Sequence, residues 1–173
     1  MLTSWWEKFW SVIEEALQGD KNIITMEPQT ATAQKLYYTA KSLLGKILAA
    51  DNASDGYGMF GCAESVNKVA QIALGAPIGG GASTAAMYTA LQDTTRFKPI
   101  LSVSEALAGD ICICPTGQST LGANLHGHVG IVGNTWNMSN DSETATWEAN
   151  YTRASWEASF AARGFTTHYF RPL

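Results

Sequence analysis

The sequence predicts an α+β protein, with helices in the first part of the chain and an antiparallel β-sheet in the second. Two observations carry this. Up to about Leu91 apolar residues recur three and four apart, as on one helix face. From Asp110 the period falls to two in "DICIC", "HGHVGIVG", "TATWEANY" and the terminal "THYFRP", as in half-buried strands. Helices followed by strands, without regular alternation between them, are the pattern of an α+β chain. The 173 residues, 46% of them hydrophobic, suffice for a single core. No run approaches the roughly 18 apolar residues of a membrane span.

The first element is an amphipathic helix over residues 1–18. Leu2, Trp5, Trp6, Phe9, Trp10, Ile13, Ala16 and Leu17 form one face, and Glu7, Lys8, Ser11, Glu14, Glu15 and Gln18 the other. Glu7 and Lys8 interrupt any apolar core of a secretory signal, so synthesis without such a signal is expected. The tryptophan face suits a bilayer interface, a partner chain or the protein's own core, while the glutamates disfavour anionic headgroups. Residues 19–29 read as a linker, with "QGDK" and Pro28. The remaining 30–173 read as the functional domain.

That domain opens on a helix from Thr30 to about Lys46, with Ala33, Leu36, Tyr37, Ala40, Leu43 and Leu44 on one face and Thr30 or Thr32 as N-cap. A loop, "ADNASDGYGMFG", leads to "GCAESVNKVAQIALG", a helix whose buried stripe is Val66, Val69, Ala70, Ile72 and Ala73 or Leu74 and which Gly75 and Pro77 end. "GAPIGGGAST" is a glycine-rich loop; it lacks the Lys-Ser/Thr and preceding strand of a phosphate loop. A helix over Thr84–Leu91 follows, then a turn at "AGD" and the strands.

Charge narrows the function classes. Only 15% of residues are charged, against about 25% on average, and the net charge is -4. No basic stripe is available to follow phosphates, so nucleic-acid binding is not expected. The cysteines are Cys62, Cys112 and Cys114, an odd number, with the last two too close on one strand to bridge easily; a reducing compartment fits better than a disulfide framework.

Cys62 stands in the first turn of its helix, where unpaired N–H groups and the helix dipole favour negative charge. That environment promotes the thiolate and offers donors to an oxyanion formed beside it. A lone cysteine is also commonly a small buried hydrophobe, and the segment by itself leaves both readings open. The strands supply possible partners. His128 stands at the entrance of "HVGIV", and the period of two places Thr146, Glu148 and Asn150 on one face of their strand, with Trp147, Ala149 and Tyr151 on the other. Orienting an imidazole needs an acceptor at one ring nitrogen, so that the other can take a thiol proton. His126 and His128, two apart, are expected on one face, and periodicity does not choose between them.

With "GCAESVNKV", "AGDICI", "GHVGIV" and "WEANY" in this order, residues 55–152 resemble the CHAP and NlpC group of papain-like cysteine amidohydrolases and peptidases. The tail "FTTHYFRPL" is similar to the last strand of phage-encoded members. The resemblance implies N-terminal helices packed on an antiparallel sheet, Cys62 as nucleophile, His128 as base, and Glu148 with nearby Asn150 as orienting residues. It further implies a substrate in bacterial peptidoglycan, no metal or organic cofactor, and a phage or prophage product made in the host cytoplasm that acts in the periplasm, the wall or the virion. The acidic residue two places after the family cysteine is usually Asp; here it is Glu64. Tyr57, His126 and Glu64 are the candidates for lining the substrate groove, Tyr57 also as an oxyanion donor.

Two other readings stand beside this one. A non-catalytic virion or partner-binding protein would keep the same fold. A zinc protein would use Cys112 and Cys114 with His126 and His128, although structural zinc cysteines usually flank a turn and "ICIC" has the apolar opposite face of a core strand.

Overall fold

The structure, a computed structural model, describes residues 28–49, 58 and 60–173. The amphipathic helix expected over 1–18, the linker up to residue 27, and Tyr57 lie outside the described residues. Within them the chain is an α+β fold built on a six-stranded antiparallel sheet.

Helix α1 spans Ala31–Ser42 and starts at Thr30, whose hydroxyl accepts from the Ala33 N–H at 2.9 Å. This satisfies one of the unpaired donors of the first turn. Helix α2, Cys62–Leu74, ends as read from the sequence, at Gly75 in the left-handed region (φ 79°). Its buried face is Cys62, Ala63, Ser65, Val66, Val69 and Ala70. Ile72, expected in that stripe, is 53% exposed, because its angular position falls outside the arc those residues span. Helix α3, Thr84–Leu91, is capped by Ser83, which accepts from Ala86 N–H.

The strands are β1 (Phe97–Ile100), β2 (Ile111–Cys114), β3 (His128–Ile131), β4 (Trp136–Asn140), β5 (Trp147–Thr152) and β6 (His168–Pro172), in the order β1-β6-β2-β3-β4-β5. Helix α4, Arg153–Ala161, separates β5 from β6. Alternation along β2 divides the core into two. Ile111 and Ile113, with Val129, Ile131 and Phe170, pack against α1, α2 and α3 on one face. Cys112 and Cys114, with Val132 and Tyr169, pack against Trp156 and Phe160 of α4 on the other.

The "AGD" turn ties the sheet to its last strand. Buried Asp110 accepts from Arg171 Nε at 2.9 Å and Nη2 at 2.8 Å, and from the Leu107 N–H. Burial pushes the Asp110 carboxyl up against these bonds, while the carboxylate beside Arg171 raises the guanidinium and keeps it charged.

Three elements depart from the sequence reading. Strand β1, which contains Pro99, is an edge strand pairing only with β6, where a missing N–H is tolerated. Strand β4 lies in the stretch between the expected strands. Helix α4 follows β5 directly, with Thr152 as N-cap. A bulge also breaks the alternation in β5: Asn137 pairs with Tyr151 and Met138 with Ala149, so Asn150 is the extra residue. Trp147 and Tyr151, expected on one face, therefore join different clusters. Trp147 is fully buried with α1, donating to Ala40 O at 2.9 Å, and Tyr151 packs beside α4.

Candidate active site

The start of α2 is clamped in place. A Cβ at Gly61 would stand 2.2 Å from the Ala49 Cβ, so only glycine fits where the chain enters the helix. One turn on, buried Ser65 donates to Asn140 Oδ1 at 3.2 Å, and Asn140 Nδ2 donates to Gly58 O at 2.8 Å. Strand β4 thus holds both the loop before Cys62 and the helix after it. The thiol is 6% exposed, and burial pushes it up to about 11; the N–H groups of Val129, Ala63 and Cys62 itself work in the opposite direction, favouring the thiolate.

His128 opens β3, one residue before the Val129 N–H that acts on the Cys62 sulfur. Its ring stacks on Phe160 (centroids 5.6 Å apart) and lies 5.4 Å from Trp156. Gly127 lets the chain pass close to the end of β2, since a Cβ there would stand 1.9 Å from Cys114 O. Burial pulls the imidazole down to about 4, with the cation of Arg163 acting in the same sense and Asp141 against it, so the ring is neutral at pH 7.

The ring's hydrogen bonds define which nitrogen carries the proton. Nε2 lies 3.0 Å from Ser139 Oγ, and Ser139 donates its only hydrogen to Asn150 Oδ1 at 2.8 Å. Asn150 acts in turn on the Asp141 carboxylate: burial pushes that carboxyl up, and the Thr144 and Glu143 N–H groups, the Thr144 hydroxyl and the Asn150 side chain together hold it below the usual carboxylate range. Because Ser139 has spent its hydrogen, its oxygen accepts from Nε2–H. Nδ1 is then the unprotonated nitrogen. The chain Asp141, Asn150, Ser139, His128 orients a neutral base and can stabilise it when it becomes charged.

Cys62 and His128 line one cavity of about 400 Å³, together with Phe60, Thr116, His126, Ser142, Tyr151, Phe160 and Arg163 among others. Strand alternation does not relate His126 to His128. Strand β3 begins only at His128, and the His126 ring stacks on Phe60 with centroids 4.8 Å apart. Of the two predicted orienting residues, Asn150 reaches His128 through Ser139, whereas Glu148 accepts from the Thr146 and Thr144 hydroxyls. Glu64 borders a separate hollow with Leu48, Asn67 and Lys68. Ser139, the residue in direct contact with the imidazole, was not among the sequence candidates.

Cys112 and Cys114 are fully buried in the α4-side cluster. Among the described residues no three His, Cys, Asp or Glu side chains converge as metal ligands. Nor, among them, is any helix long and apolar enough to cross a membrane. Fold and site together describe an α+β chain with a helix-entrance thiol and an oriented imidazole on a shared cavity. Compared with protein-family models and with curated protein sequences, the chain matches none.

Proposed function

We propose that this chain is a papain-like cysteine hydrolase of the CHAP/NlpC kind that cuts an amide or peptide bond of bacterial peptidoglycan, in phage lysis or wall penetration. The observation that carries the reaction class is the line from His128 Nε2 through Ser139 Oγ to Asn150 Oδ1 beside a cavity shared with Cys62; it favours the tautomer with Nε2 protonated, which makes Nδ1 the base. The choice of peptidoglycan rests on the order of "GCAESVNKV", "AGDICI", "GHVGIV" and "WEANY".

The resting pair is neutral, since thiol and imidazole are both buried. The imidazole therefore takes the thiol proton as the sulfur attacks the amide carbon, a general-base step without a standing ion pair. N–H groups at the start of α2 receive the oxyanion. Imidazolium then protonates the leaving amine, and water, deprotonated by the same nitrogen, releases the acyl group from sulfur.

Mass spectrometry of soluble products from purified peptidoglycan tests this. New amine and carboxyl ends should appear with the wild-type chain and be absent with Cys62→Ala. Intact wall polymer after prolonged incubation with folded wild-type chain would favour the second reading, a non-catalytic virion or partner-binding protein. The deep burial of the thiol is the observation on that side.

A further inference from the structure

Among the described residues that line the cavity, one carries a permanent charge, and it is a cation. Arg163 follows α4 and is exposed at the cavity. Its guanidinium is held from two sides: Cζ lies 5.4 Å from the Phe160 ring centre and 5.7 Å from that of Phe165, and Nη2 donates to His126 O at 2.7 Å. Nη1 and Nε donate to no partner among the described residues, and no carboxylate there pairs with the group. Arg163 also acts electrostatically on His128, which places it near the base. Besides Cys62 and the two histidines, the polar side chains around the cavity, Ser83, Thr84, Thr116, Ser142 and Tyr151, carry hydroxyls, and Thr84 and Thr116 bond to one another at 2.9 Å.

We propose that Arg163 is the specificity-determining residue of this site, receiving a carboxylate of the substrate on the guanidinium edge that the His126 bond leaves free, so that the preferred substrate is an anionic peptide with a free carboxyl group close to the bond cut. This rests on the hydrolase reading above for the reaction but not for the binding. A planar guanidinium whose stacked face and one donor are already fixed loses little freedom on taking a carboxylate in its remaining fork. The aromatic floor of Phe160 and Phe165 shields the pair on one side.

The test uses synthetic peptidoglycan stem peptides in two forms, carboxyl groups free and carboxyl groups amidated. Calorimetric binding to the full-length Cys62→Ala chain should favour the free form by about 10- to 100-fold, the scale of a charge-assisted bidentate contact. Arg163→Gln should bring that ratio near one, Arg163→Lys should keep part of it, and Arg163→Glu should invert it. Loss of fold or of cavity shape would not invert a preference. With the wild-type chain the same discrimination should appear in KM more than in kcat. Equal affinity for the two forms, or failure of both to bind, overturns the carboxylate site. A preserved preference without any cleavage leaves the site standing and refutes the hydrolase.

Discussion

The two faces of the sheet are built on different terms. On one, three helices cover Ile111, Ile113, Val129 and Ile131 with an apolar layer, and its chemical group, Cys62, owes its place to packing and to the glycine at its entrance. On the other, one helix among the described residues covers the strands, and His128 is held by a line of polar contacts through Ser139 and Asn150 toward Asp141. The two meet at the start of β3, where the Val129 N–H reaches the Cys62 sulfur. The thiol is thus positioned by backbone and hydrophobic burial, and the imidazole by side-chain hydrogen bonds. Substitutions on the second face should accordingly alter rate in graded steps, whereas on the first, Cys62 itself apart, they should alter chiefly the fold.

The largest effect is expected at the base itself. His128→Ala should lower wall hydrolysis by about 100- to 10,000-fold, measured as turbidity loss of a peptidoglycan suspension, because the thiol loses its proton acceptor. His126→Ala should cost far less, since that ring stacks on Phe60 outside the relay. Substituting Arg171 with Met isolates the scaffold. It leaves Asp110 buried without its cation and should destabilise the chain by about 3 to 5 kcal/mol in urea unfolding.

Acid should expose the burial of His128. Its imidazole is pulled from 6.5 to about 4, so the unfolded chain binds a proton in that interval that the folded chain does not. The stability from this group is complete above about pH 6.5 and is lost as pH falls toward 4, by about 3 kcal/mol. Unfolding free energies at pH 7 and pH 4 should differ by that much less in His128→Gln.

Smaller effects should grade along the relay. Ser139→Ala removes the direct acceptor and frees the ring to adopt either tautomer, with an expected rate loss of about 10- to 100-fold. Asn150→Ala leaves the serine in place and should cost less. Glu148→Gln, which bonds to Thr146 away from the ring, should change the rate by no more than about twofold. Equal losses at Ser139 and Glu148 would show that the second face does not transmit orientation as described.

The first face was largely legible in the sequence, and the second was not. Helical spacing, the Thr30 cap, Gly75 and the glycine before Cys62 are local signals, and they describe α1 and α2 with the thiol at the entrance. His128 and Asn150 were legible as residue types at strand positions. Ser139 was hidden because β4, "WNMSN", buries Asn137, Ser139 and Asn140, so it lacks the apolar alternation by which a strand is read. Ser139 and Asn140 are satisfied by residues remote in sequence, which only the folded chain brings near. The bulge at Asn150 had the same effect on β5, since one extra residue shifts every later side chain to the other face. Helix α4 did leave a signal, Trp156 and Phe160 one turn apart after the capping Thr152.

The most direct test of the account is the alkylation rate of Cys62 by iodoacetamide as a function of pH, followed by peptide mass spectrometry in the wild type and in His128→Ala. If the two faces cooperate, the wild-type thiol should react at pH 7 at least about tenfold faster than in the variant. The fully buried Cys112 and Cys114 should lag behind in both. In His128→Ala the rate should climb only toward the raised thiol value of about 11. Superimposable pH profiles for Cys62 in the two chains would contradict the claim that His128 takes its proton.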